Sequence, residues 1–148
     1  MILAQHGWGG VPDDITREFG RRRAQQPAGL SSLFNELAAR AGLRVRSTPV
    51  TNGTIANLRA ELRAGRPVII HGYFTDGHVI VVTGFDGDAY IVNDPAGRWN
   101  QVFRGGYPNG CANQGGRGAR YRRAAFEKAV ATAPNGRTPL ALWYHVIR

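Results

Sequence analysis

One histidine and one aspartate stand where a base and its partner would be needed. His78 opens the apolar run HVIVVTGF, Asp94 closes the run AYIVND, and Asp86-Gly87-Asp88 between them supplies a turn. In an antiparallel hairpin the start of the first strand and the end of the second come together, so an imidazole would face a carboxylate. Such a pair can take a proton from a nucleophile and stabilise the imidazolium that results, which is half of a triad. The other half is a nucleophile. The one cysteine, Cys111, follows both residues in a Gly-rich polar stretch. It lacks the helix N-terminus that activates a thiol, although chain order does not define a triad. The residues alone favour a plainer reading of His78, a strand-end imidazole satisfied by a backbone carbonyl. A metal site of His71, His78 and Asp94 fares no better, because positions 71 and 78 would fall on opposite faces of a continuous strand, although Gly72 and Gly77 leave room for a turn. His6 and His145 carry no motif, and no cofactor is indicated.

The elements that must position this pair divide the chain in two. Helices come first. MILAQ is a short helix stopped by Gly7, Gly9 and Gly10, and Pro12-Asp13-Asp14 starts a second, with Ile15 and Phe19 inward. SSLFNELAARAG is a third, capped by Ser31 or Ser32 and stopped by Gly42. LRVRST is expected as a short alternating strand, and Thr54 caps a helix that Gly65 ends. From Pro67 the pattern turns to strands: PVIIHGY, HVIVVTGF, AYIVNDP and, at the end, LALWYHVI. Several are continuous apolar runs, as expected of a sheet covered on at least one face. RAAFEKAVATA is a further helix before the last strand. The Gly- and Asn-rich excursion from Gly97 to Tyr121 is expected to be a loop, and its Tyr107, Asn109, Asn113 and Gln114 suit a substrate-binding lid. Tyr73, Phe74, Asn93 and Trp99 flank the pair and are candidates for walls of a cleft.

At 148 residues and 43% hydrophobic content the chain fits one domain spanning 1–148. No apolar run approaches the roughly 20 residues of a membrane span, and nothing resembles a signal peptide. The net charge of +9, carried mostly by arginine, would attract a polyanion. Only Arg21-Arg22-Arg23 and Arg117 to Arg123 cluster, without the interleaved aromatics of a nucleic-acid stacking platform, so no specific nucleic acid is indicated.

The order of these pieces resembles the C39-like family of bacterial cysteine peptidases: GRPVII at Gly65 to Ile70, GHVIVVTGFD at Gly77 to Asp86, VNDPAG at Val92 to Gly97. The resemblance covers most of the chain from about Leu30 onward. It implies an α+β, papain-like fold, N-terminal helices packed on a C-terminal antiparallel sheet. It also implies that His78 is the general base for a cysteine thiol and that Asp94 orients its ring. The substrate would be a peptide or a peptidoglycan cross-bridge, as for domains that process leader peptides or serve in phage lysins. That family's nucleophile lies in a Cys-Gly-Pro motif on the first long helix, with an oxyanion-stabilising glutamine upstream. Neither is present here, while MILAQHG resembles the continuation of that helix. The expectation is therefore a chain that starts a few residues late or has lost its nucleophile. The alternative is an inactive peptide- or wall-binding module that uses the same cleft.

Overall fold

The computed structural model describes residues 1–19, 26–108 and 115–148. Its elements run α1 (Ile2–Gln5), α2 (Pro12–Phe19), α3 (Pro27–Arg40), β1 (Ser47–Gly53), α4 (Ile55–Arg63), β2 (Val68–Gly72), β3 (His78–Phe85), β4 (Ala89–Asn93), β5 (Arg117–Arg122), α5 (Arg123–Ala131) and β6 (Leu142–Ile147). The six strands form one antiparallel sheet in the order β1-β6-β2-β3-β4-β5. This mixture of helices and an antiparallel sheet is an α+β architecture.

The sheet is covered on both sides, which explains the unbroken apolar runs of its central strands. On one face Val68, Ile70, Ile80, Val82, Val92 and Tyr144 pack with Leu58 and Leu62 of α4 and with Phe126, Ala129 and Val130 of α5. On the other, Ile69, Val81 and Ile147 pack with Ile2 and Leu3 of α1, Phe19 of α2, and Leu33, Phe34, Leu37 and Ala38 of α3. Side chains alternate along each strand, so neighbouring residues of β2 and β3 belong to different cores.

Local chemistry accounts for most boundaries. Thr54 and Asn57 form a reciprocal capping box at the start of α4, which satisfies two otherwise orphaned backbone N–H groups. Gly42 and Gly65 take the left-handed conformation after α3 and α4, where a side chain would be strained. In the β3–β4 turn the Asp86 carboxylate accepts the N–H groups of Asp88 and Ala89.

Three boundaries depart from expectation. The third helix starts at Pro27, not at Ser31 or Ser32: Gln26 is its N-cap and proline occupies the first turn, where a missing N–H costs nothing. Ser31 is then a buried residue inside the helix. The expected strand LRVRST begins only at Ser47 and runs on to Gly53 through Pro49; proline is tolerated because β1 is an edge strand. Finally, the excursion from Gly97 to Tyr121 ends in a strand. In β5, Ala119 and Tyr121 are buried while Arg120 and Arg122 stay exposed. Arg21 to Arg23, Asn109, Cys111, Asn113 and Gln114 lie outside the described residues.

Candidate functional site

Hairpin register does most of the positioning. β2 and β3 pair Gly72 with His78, and β3 and β4 pair Val81 with Asn93, so His78 opens β3 at the sheet end where Asp94 has just left β4. The His78 Nε2 and Asp94 Oδ1 atoms are 2.9 Å apart. The aspartate side chain is fully buried and the histidine side chain is 21% exposed, so one end of the pair is sealed and the other meets solvent.

Asp94 is satisfied from all sides. Its Oδ1 also accepts the Ala96 N–H at 3.0 Å. Its Oδ2 accepts the hydroxyls of Tyr107 at 2.6 Å and Tyr121 at 2.7 Å. Burial pushes its carboxyl pKa up, but hydrogen bonds from His78, Tyr107, Tyr121 and the Ala96 amide outweigh burial and hold it below the usual value. Asp94 is therefore an anion at neutral pH, and an anion accepts. The proton between the two residues belongs to His78 Nε2, which leaves Nδ1 of the neutral ring as an acceptor. Among the described residues no hydrogen bond is made to that nitrogen.

Each donor to the carboxylate is itself held. Tyr121 is buried on β5 and its hydroxyl accepts the Trp99 N–H at 3.0 Å; burial first, then the Asp94 anion, push its own pKa far upward. Tyr107 lies edge-on to the His78 ring, with centroids 5.6 Å apart. It is delivered by a loop whose Arg104 and Gly106 amides donate to the carbonyls of Tyr73 and Phe74. Gly116 passes so close to the Asp94 carbonyl that an added Cβ would sit 2.1 Å from it, so the β5 approach to the aspartate demands glycine.

His78 opens onto a cleft of about 760 Å³, lined among others by Gln26, His71, Tyr73, Val79, Val130 and Trp143. Tyr73 thus borders the cleft with His78. Tyr107 contacts the pair directly, through the carboxylate. Trp99, expected as a wall, is instead 1% exposed and packs edge-on against Phe74 and Tyr121 behind the aspartate. Phe74 is also fully buried, edge-on to His78. Asn93 is turned to β5, where its side-chain oxygen accepts the Gly118 N–H.

Sequence reasoning missed Tyr121, because β5 was hidden in a stretch of glycine and arginine; the alternation of Ala119 and Tyr121 with Arg120 and Arg122 was its one local signal. It also missed His145. That residue is fully buried on β6 and bonded at Nε2 to Nε2 of His71, 2.9 Å away. Among the described residues, no three histidine, cysteine, aspartate or glutamate side chains converge as metal ligands, and no helix is long and apolar enough to cross a membrane.

Residues 21–128 match the model of the Peptidase C39-like family. The match spans more than half of the chain and includes His78, Asp94 and both tyrosines; the chain belongs to this family and is a peptidase-like domain. No curated protein and no solved structure matches it.

Proposed function

We propose that the cleft is the active-site cleft of a papain-like cysteine peptidase and that His78 and Asp94 are its base and orienting residue. One observation carries this reading: a buried anion holds one nitrogen of a half-exposed imidazole and leaves the other available to a cleft. A thiol near pKa 8.5 is mostly protonated at neutral pH, and a neighbouring base that becomes a cation lowers that value. The His78 ring would take the thiol proton at Nδ1, and Asp94 would stabilise the cation at Nε2. The thiolate would then attack a peptide carbonyl, and the imidazolium would give its proton to the leaving amine. Water would hydrolyse the acyl-enzyme.

The substrate class is a peptide or a peptidoglycan cross-bridge. The net charge of +9 favours a substrate embedded in an anionic wall polymer, the setting of a lysin module. Tyr73 borders the cleft and is the wall residue expected to touch substrate; Tyr107 supports the site through Asp94.

Cys111 is the one thiol of the 148 residues, and its Gly-rich setting supplies neither a helix N-terminus nor a fixed position. The family resemblance puts the thiol on the N-terminal side of α1. The test is to assay the 148-residue chain beside a form extended by the residues encoded before Met1. Thiol-dependent hydrolysis by the extended form, lost with His78→Ala, is the expected result. Hydrolysis by the 148 residues that vanished with Cys111→Ala would overturn the assignment of the thiol. An extension carrying no cysteine, together with peptide binding that His78→Ala weakens, would favour the second reading, a binding module.

A further inference from the structure

A second polar cluster leads from the same cleft to the opposite side of the sheet. His145 Nδ1 is 2.9 Å from Ser31 Oγ on α3 and 3.1 Å from Ser47 Oγ on β1, and the two hydroxyls are 2.9 Å apart. Its Nε2 is 2.9 Å from Nε2 of His71, and the two rings stack with centroids 5.1 Å apart. Ser31, Ser47 and His145 are all buried, whereas His71 lines the cleft beside His78 and Trp143. Outside these polar atoms the surroundings are the aliphatic and aromatic core under α1, α2 and α3.

Two nitrogens at hydrogen-bond distance need one proton between them. If His145 holds it at Nε2, then His71 accepts at Nε2 and carries its own proton at Nδ1. The His145 Nδ1 is then an acceptor and takes a serine hydroxyl proton. If His71 holds it at Nε2, every bond reverses: His145 is protonated at Nδ1 and donates to a serine, and the neutral His71 has an acceptor at Nδ1. Both arrangements satisfy every nitrogen and neither carries net charge, because hydroxyls rotate to donate or accept. With Nε2 engaged, any hydrogen bond from His71 to a molecule in the cleft runs through Nδ1.

We propose that His71 is a substrate-positioning residue of the cleft, a neutral imidazole that offers a peptide group either a donor or an acceptor by reversing the relay through His145 to Ser31 and Ser47. The inference rests on the peptidase reading for its ligand class, since a peptide backbone presents both an N–H and a carbonyl to such a residue. A buried relay of this kind keeps a polar side chain at the cleft without burying a charge beneath it.

The test is nitrogen-15 spectroscopy of the four histidine rings in the full chain at pH 7.5. His71 and His145 are expected in opposite tautomers, one protonated at Nδ1 and the other at Nε2. Removal of one hydroxyl by Ser31→Ala should move the tautomer populations of both rings together. Millimolar acetyl-triglycine amide, a probe with only peptide groups to offer, should shift the His71 ring nitrogens. The same tautomer in both rings, or a Ser31→Ala response confined to His145, would overturn the relay. If Ser31→Ala does not fold, Ser47→Ala on β1 poses the same question. A probe that shifts His78 and not His71 would overturn this inference and leave the cleft reading standing; a probe that shifts neither would overturn both.

Discussion

Two imidazoles border one cleft, and the sheet gives them opposite partners. His78 is backed by a buried carboxylate that two tyrosines and an amide hold as an anion. His71 is backed by another imidazole, which two serines hold. The first arrangement welcomes a proton on the exposed ring, because the imidazolium gains an ion pair. The second has no anion behind it, so a charge at the buried ring goes uncompensated: burial, then His71, push His145 down to about 4. Geometry so similar, an Nε2 atom 2.9 Å from its partner in each case, thus serves opposite ends. The identity of the partner decides.

The comparison breaks most severely at Asp94. Asp94→Ala leaves two tyrosine hydroxyls, an amide and the His78 N–H without their acceptor in a buried site. The expected cost is about 3 kcal/mol or more in unfolding free energy by urea denaturation. A loss under about 1 kcal/mol would mean that the shelf relaxes onto water.

Acid should separate the two networks. His145 has an ordinary value of 6.5 and lies near 4 when folded, so between those values the unfolded chain binds a proton that the folded chain refuses. Its contribution is complete above about pH 6.5 and lost as pH falls toward 4, about 3 kcal/mol in all. Asp94 runs later: its carboxyl lies below the ordinary 3.8 when folded, so its contribution holds above that value and fades only as pH falls further. Urea titrations at pH 7.5, 5 and 4 should show the first loss, and His145→Gln should flatten it. A curve unchanged by that substitution would assign the acid sensitivity elsewhere.

The two tyrosines sharpen the contrast within one network. Tyr121→Phe removes a donor to Asp94 and the acceptor of the Trp99 amide, both buried, and should cost about 2 kcal/mol. Tyr107→Phe removes a donor from the more open side of the carboxylate and should cost about 1 kcal/mol. Equal losses would show that the Trp99 amide finds another acceptor.

How far the sequence announced these networks follows from how local each one is. The His78 and Asp94 juxtaposition needs one hairpin, and two apolar runs about a Gly-containing turn carry that information in neighbouring residues. The capping box of α4 is legible for the same reason. His145 and Ser31 are 114 positions apart, and nothing near either residue records that α3 will lie across β6. Ser31 was misleading as well: serine is a favoured N-cap, yet Pro27, four residues earlier, had the better claim to the first turn. The edge strands escaped notice because each carries a feature that opposes pairing, Pro49 in β1 and a series of arginines in β5, and edge strands tolerate both. Tyr121 was hidden with its strand.

Trp99 gives the molecule an optical handle. Its indole Nε1 is buried without a hydrogen-bond partner among the described residues, and its ring touches Phe74 and Tyr121. Trp143 at the cleft is 41% exposed. Excited indoles emit at shorter wavelength where nothing polar can reorient around them, so Trp99 should supply the blue edge of the emission and Trp143 the red. Quenching by iodide should then strip the red component first. Whatever enters the cleft would be seen through Trp143, and whatever disturbs the shelf beneath Asp94 through Trp99, from one unlabelled sample.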